Sequence, residues 1–169
     1  FKNNKLKNIN YNGVSINSKS MKKNNLFFAI KGKKTDGHKF VNEAIRKGAI
    51  KCVVSRKIKH VSKNKIIKVK NTFSSLNDLA RVNRNNTLAQ IIGITGSVGK
   101  TTLKNLISFA LKNYGKVYYS PYSYNNKFGV PFSLSNLKKN TEYGIFEIGM
   151  DKKGEINNLS KIVRPEIAV

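Results

Sequence analysis

The chain has 169 residues, 39% of them hydrophobic, enough for one ordinary domain or two small ones and too many for a wholly disordered polypeptide. No apolar run approaches the roughly 20 residues that a membrane-spanning helix needs. The net charge of +25, from 33 Lys and Arg against 8 Asp and Glu, raises nucleic-acid binding. However, the lysines are spread along the whole chain, and Lys, Asn and Ile share A/T-rich codons, so the expectation is a diffuse field that concentrates small anions, with no nucleic-acid partner.

Taken in chain order, "LFFAI" (26–30) reads as a short buried strand. "HKFVNEAIRKGA" (38–49) carries Phe40, Val41, Ala44 and Ile45 at helical spacing and is stopped by Gly48. "IKCVVS" (50–55) and "KIIKVK" (65–70) are two more strands. Cys52, the single cysteine, lies in the first of these; it excludes an internal disulfide and is expected to be a buried, inert thiol. "TFSSLNDLARVNRNN" (72–86) sets Phe73, Leu76, Leu79 and Ala80 on one helical face, with Thr72 as the expected cap. The Asn-rich "NRNN" marks the expected domain boundary, giving domains 1–85 and 86–169.

The second part opens with strand "AQIIGIT" (89–95), a glycine loop, and helix "KTTLKNLISFALKNYG" (100–115). The apolar stripe of that helix is expected at Leu103, Leu106, Ile107, Ala110 and Leu111. A strand at "KVYYS", the loop "PYSYNNKFGVP", a helix from near Gly129, strand "YGIFEIG" (143–149), a helix from about Gly154 to Val163 and a strand at "PEIAV" follow. Strands alternating with helices predict an α/β fold built on mostly parallel sheets. The chain starts at Phe1 and stops on an apolar run, so a fragment of a longer protein is expected.

The stretch "IIGITGSVGKTT" (91–102) has the context of a phosphate loop: a strand, a tight turn framed by Gly96 and Gly99, and an amphipathic helix. Backbone N–H groups of such a turn converge on phosphate oxygens at the positive end of the helix. The loop would comprise Gly96, Ser97, Val98, Gly99, Lys100, Thr101 and Thr102. Lys100 would reach the β- and γ-phosphates, and the Thr101 hydroxyl has the position that ligates Mg²⁺. The usual spelling has a glycine five residues before the Gly-Lys pair; here that residue is Ile94.

The shortened pattern Thr-Gly-x-x-Gly-Lys-Thr-Thr resembles the Mur ligase family, ATP-dependent amide-forming enzymes of peptidoglycan precursor synthesis. "INSKSMKKNNLFFAIKGKKTDGHKF" is similar to the family's amino-terminal uridine-nucleotide domain, with Asn17-Ser18-Lys19 where Asp-Ser-Arg is usual. The resemblance implies that Ser18 and His38 face the substrate nucleotide. "SYNNKFGVPFSL" resembles the segment of the member that adds D-alanyl-D-alanine, and leaves Asn125 and Asn126 open as substrate-binding or turn-forming residues. "YGIFEIGMDKKGEI" matches the strand that ends in Glu-x-Gly, which implies that Glu147 holds Mg²⁺ directly or through water.

The resemblance thus implies an α/β fold: a small uridine-nucleotide domain followed by the start of a P-loop ATPase domain. It implies ATP and Mg²⁺ as cofactors, with Lys100 and Glu147 as the catalytic pair. The partners would be UDP-MurNAc-tripeptide and D-alanyl-D-alanine, joined through an acyl phosphate by a monomeric cytoplasmic enzyme whose remaining metal ligands lie past residue 169. The tripeptide-forming member of the family, a non-enzymatic nucleotide-binding module and a basic nucleic-acid-binding ATPase stand as alternatives.

Overall fold

The computed structural model describes residues 9–32, 34–150 and 152–169, so the first eight positions of the expected first domain lie outside the described residues. The chain divides into two compact units, Phe1–Asp78 and Leu79–Val169.

In the first unit, β1 (Gly13–Ser15), β2 (Asn25–Phe28), β3 (Lys51–Val54) and β4 (Ile66–Lys68) form one parallel sheet in the order β1-β2-β3-β4. A 3-10 turn at Gly37–Phe40 and helix α1 (Val41–Arg46) carry the chain from β2 to β3. Strand β1 escaped sequence reading because three residues carry no usable period. Cys52, Val53 and Val54 are all buried, without alternation, as expected where both faces of a parallel sheet are covered. Burial pushes the Cys52 thiol up to about 12, well outside the reactive range. Phe27, Ala29, Val41, Ala44 and Cys52 form the core of this unit.

Helix α2 (Thr72–Asn86) has the bounds its periodicity predicts, but the cap differs from expectation. Asn71 Oδ1 accepts from the Ser74 N–H at 2.9 Å, while Thr72 Oγ1 donates inward to the Ala29 carbonyl at 3.0 Å. Thr72 therefore anchors the helix to the strand instead of capping it. The division between units falls after Asp78, inside the helix, and Asn83–Asn86 form its last turn.

The second unit contains β5 (Gln90–Ile94), α3 (Lys100–Leu111), β6 (Val117–Tyr119), α4 (Gly129–Ser135), β7 (Tyr143–Glu147), α5 (Glu155–Val163) and β8 (Ile167–Ala168). Its four strands are parallel in the order β6-β7-β5-β8, so β5 and β7 are central. Ile91, Phe146, Val130, Leu134, Leu159 and Val163 pack on one side, and Ile92, Ile94 and Ile145 meet Leu103, Ile107 and Leu111 on the other. Arg84 joins the pieces: Nε donates to the Val163 carbonyl at 2.6 Å and Nη2 pairs with Glu166 at 2.5 Å, while Glu166 accepts from the Ile91 N–H at 2.7 Å.

The stripe expected on α3 is half right. Leu103, Ile107 and Leu111 face the sheet, but Leu106 is 61% exposed and Ala110 is exposed, and the buried positions are Lys104 and Ser108. The helix is turned so that positions 103, 104, 107, 108 and 111 lie inward, with the Lys104 ammonium beside a carboxylate.

Gly93, one residue too early for the loop, has a packing role: a Cβ there would lie 3.0 Å from Pro165. At Gly129 a Cβ would lie 2.6 Å from the Tyr124 carbonyl carbon, a backbone atom that cannot step aside. Gly129→Ala should therefore destabilise the chain by about 1–3 kcal/mol, read as a lowered urea midpoint with an unchanged slope.

Candidate functional site

The loop after β5 opens at the carboxyl edge of the central strands, where ligands of open α/β sheets bind. Thr95–Gly99 are all exposed. Gly96 (φ 136°) and Gly99 (φ 77°) take backbone conformations that a side chain would strain, which is why both positions are glycine. Helix α3 then starts at Lys100 with no side-chain cap and no acidic residue in its first turn. Its leading N–H groups lack intrahelical acceptors and carry the positive end of the dipole. Ser97, Val98 and Thr102 are likewise exposed around this mouth. The Lys100 ammonium folds back over the turn, donating to the Gly96 carbonyl at 2.6 Å and the Ser97 carbonyl at 3.3 Å.

Glu147 ends β7 and lies in register with Ile94, the last residue of β5, so sheet pairing itself sets the carboxylate beside the loop. It is 1% exposed and fully hydrogen-bonded. Oε2 accepts from Thr101 Oγ1 at 2.9 Å and lies 3.4 Å from Lys104 Nζ; Oε1 accepts from Asn125 Nδ2 at 2.8 Å. Lys104, itself 1% exposed, also donates to the Tyr122 carbonyl. Gly149 seals the arrangement, since its N–H donates to the Asn125 carbonyl at 2.7 Å and a Cβ there would lie 2.8 Å from the Asn125 amide. One carboxylate thus ties β7 to helix α3 and to the loop before α4.

Lys104 was missed by sequence reading because a lysine on an amphipathic helix reads as solvated. The available signal was its place four residues after Lys100, on the face occupied by Leu103 and Ile107.

The two asparagines part company. Asn125 holds Glu147. Asn126 Oδ1 accepts from the N–H groups of Phe128 and Gly129, both at 3.0 Å, and so organises the start of α4.

Thr101 Oγ1 and Glu147 Oε2 are hard oxygen donors, the type Mg²⁺ takes. Among the described residues no group of three His, Cys, Asp or Glu side chains converges. This pair fits an ion that keeps most of its waters and shares phosphate oxygens, the ordinary habit of Mg²⁺ at nucleotide sites.

In the first unit, Ser18 and His38 are buried but engaged separately. Ser18 Oγ donates to Glu43 Oε2 at 2.9 Å, and its carbonyl accepts from Lys47. His38 Nε2 accepts from the Ser55 N–H at 3.0 Å, which puts the ring proton on Nδ1, 2.7 Å from Asp36 Oδ1. The two residues share no hydrogen-bond partner. Burial raises the Asp36 carboxyl, but hydrogen bonds from the His38 amide and ring, with the Arg56 guanidinium beside it, outweigh that and hold it below its ordinary value.

The strand, glycine turn and helix, with a carboxylate on the adjacent strand, form the arrangement of P-loop α/β proteins. Residues 10–93 match the model "Mur ligase family, catalytic domain", and residues 94–169 match "Mur ligase middle domain". The chain belongs to the Mur ligase family. It is 42% identical over 161 residues to the UDP-N-acetylmuramoyl-tripeptide–D-alanyl-D-alanine ligase of Rickettsia prowazekii, covering 95% of this chain and 36% of that protein. A UDP-N-acetylmuramoylalanyl-D-glutamyl-2,6-diaminopimelate–D-alanyl-D-alanyl ligase structure from Acinetobacter baumannii superposes with TM-score 0.80 at 31% identity, covering 94% of this chain and 35% of that one. The Thermotoga maritima MurF ligase in complex with ADP gives TM-score 0.75 at 35% identity, covering 95% and 37%. The chain therefore spans little more than a third of the length of these relatives.

Two outcomes follow from the geometry. Lys104→Met should cost about 3–5 kcal/mol of stability in urea unfolding, because it leaves the Glu147 carboxylate buried without its cation, and adding Glu147→Leu should recover part of the loss. For Asp36, a lowered folded pKa means that its contribution is present above about pH 4 and lost as pH falls through the folded value. The stability gap between wild type and Asp36→Asn should therefore close on acidification in pH-dependent urea melts.

Proposed function

We propose that the chain is the amino-terminal part of an ATP-dependent ligase that joins D-alanyl-D-alanine to UDP-MurNAc-tripeptide in cytoplasmic peptidoglycan precursor synthesis. The observation that carries this reading is the Thr101 hydroxyl, 2.9 Å from a buried Glu147 carboxylate, at the mouth of an uncapped helix behind a glycine turn. The reading is supported by the names of the relatives and by the ADP held in the Thermotoga structure.

In this reading the turn Gly96–Gly99 and the first N–H groups of α3 bind the β- and γ-phosphates of ATP. Lys100 exchanges its two carbonyl contacts for phosphate oxygens and neutralises charge on the γ-phosphoryl group as it moves to the substrate carboxylate. Thr101, with Thr102 next to it, and Glu147 hold the magnesium site. Mg²⁺ supplies charge neutralisation between two anionic reactants. Lys104 and Asn125 fix the Glu147 carboxylate, which would act on the ion through the Thr101 hydroxyl it accepts from. The acyl phosphate formed on the tripeptide is then open to attack by the amine of D-alanyl-D-alanine.

The first unit takes the uridine nucleotide. Because Ser18 and His38 are both engaged internally, their part is to frame that pocket: His38 pins the end of β3 through Ser55, and Ser18 pins α1 through Glu43. Asn126 shapes the substrate loop through its turn. The working form is a monomer, and the positive charge acts as a general field on anionic substrates, without a nucleic-acid partner.

The test is a Mg²⁺ titration of substrate-dependent phosphate release, in a polypeptide extended with the downstream sequence of the same gene. Lys100→Ala should lower kcat by about 10²–10³ at every Mg²⁺ concentration, as expected for a lost charge-stabilising donor. Thr101→Ala and Glu147→Gln should be partly rescued by raised Mg²⁺. Near-normal turnover in Lys100→Ala would reduce "GSVGKTT" to a structural turn and remove the ligase reading.

A further inference from the structure

The crossover from β3 to β4 contains no α-helix. Parallel strands are ordinarily joined through a helix that covers the sheet; here residues 55–65 cross irregularly and end in a single 3-10 turn at Lys63–Lys65. Ile58 and Val61 reach in from this crossover to the core of the first sheet, as does Ile66 of β4. They do not fill the space a helix would occupy. A cavity of about 890 Å³ remains beside edge strand β4. It falls within the roughly 300–1,000 Å³ of small-molecule sites.

The lining separates by chemistry. Ile58, Val61 and Ile66 share one face of the sheet and are half-buried there, and exposed Lys57, Lys59, Lys63 and Lys68 surround them. Two further cations on the wall are already engaged: Arg56 with Asp36 Oδ2 at 2.8 Å, and Lys51 with the Asn64 carbonyl at 2.8 Å. No carboxylate lines the cavity among the described residues, whereas two smaller hollows elsewhere carry Glu142 and Glu166. Cations set around a low-dielectric concavity focus their field into it. An apolar floor under that field favours a ligand with an apolar body over a bare ion.

We propose that this cavity binds a small amphiphilic anion, an alkyl or acyl chain bearing a phosphate group. The apolar part lies on Ile58, Val61 and Ile66, and the phosphate is held by Lys57, Lys59 and Lys63. The site is separate from the ligase reading, because neither the phosphate loop nor Ser18 or His38 contributes to its walls. Its failure or success leaves the Lys100 experiment untouched.

The test uses calorimetric titration of the 169-residue chain with submicellar dodecyl phosphate at about 150 mM salt, where charges beyond roughly 8 Å are screened. The triple variant Lys57→Glu/Lys59→Glu/Lys63→Glu is compared with Lys22→Glu/Lys116→Glu/Lys138→Glu, which makes the same change of net charge at exposed positions elsewhere. All six lysines are exposed, and thermal melts confirm that both variants remain folded. The cavity triple should weaken binding by about tenfold or more and the control triple by less than about threefold, since only the former acts at short range. Inorganic phosphate should bind far more weakly than dodecyl phosphate. Equal weakening in the two triples would reduce the effect to overall charge and overturn the site. Equal affinity for inorganic phosphate would remove the apolar floor from it. Binding to vesicles of phosphatidylcholine and phosphatidylglycerol without binding to dodecyl phosphate would assign the lysines to a membrane surface and overturn the soluble ligand.

Discussion

The second unit is organised around one buried carboxylate. Glu147 cannot be left unpaired in the interior, since an isolated ion there costs several kcal/mol. Its neighbours meet that demand one by one: the Thr101 hydroxyl, the Asn125 amide and the Lys104 ammonium. Two come from α3 and one from the loop before α4, so satisfying one side chain fixes both segments against β7. The rotation of α3, the seating of the loop before α4 and the close approach at Gly149 all follow from it.

The arrangement also explains why the site is built in advance of its ligand. Backbone pairing of β5 with β7 sets Glu147 opposite Ile94 before any side chain is considered. The glycine turn begins at that same sheet level, and the helix behind it presents uncapped N–H groups. Lys100 rests on two backbone carbonyls of the turn itself, at the surface, whereas the Glu147 carboxylate is held on both oxygens.

Much of this was legible in the sequence, for identifiable reasons. Helix α2 was read to its ends because fifteen residues supply several turns of period, and the parallel α/β class follows from alternating elements. The glycine turn was legible because Gly96, Gly99, Lys100 and Thr101 sit between a strand and a helix. Strand β1 was invisible at three residues. The face of α3 was misjudged because hydrophobicity alone cannot say that a lysine will be buried; that depends on Glu147, forty-three residues away. His38 stood out as a lone histidine in a familiar stretch, but no pattern could tell that Ser55 and Asp36 would occupy both ring nitrogens. The cavity beside β4 was equally hidden, because it arises from a helix that the crossover lacks.

The central claim is that Thr101 and Glu147 act as one unit on the phosphate-bound metal, and a double-mutant cycle tests it most directly. Binding of Mg²⁺-ADP would be measured for wild type, Thr101→Ala, Glu147→Gln and the double variant in the downstream-extended polypeptide, with Mg²⁺-free ADP as reference. The account predicts a coupling energy of about 0.5–3 kcal/mol that appears only with Mg²⁺ present. Additive effects, or the same coupling with and without Mg²⁺, would show that the contact merely holds the fold together and would contradict the account.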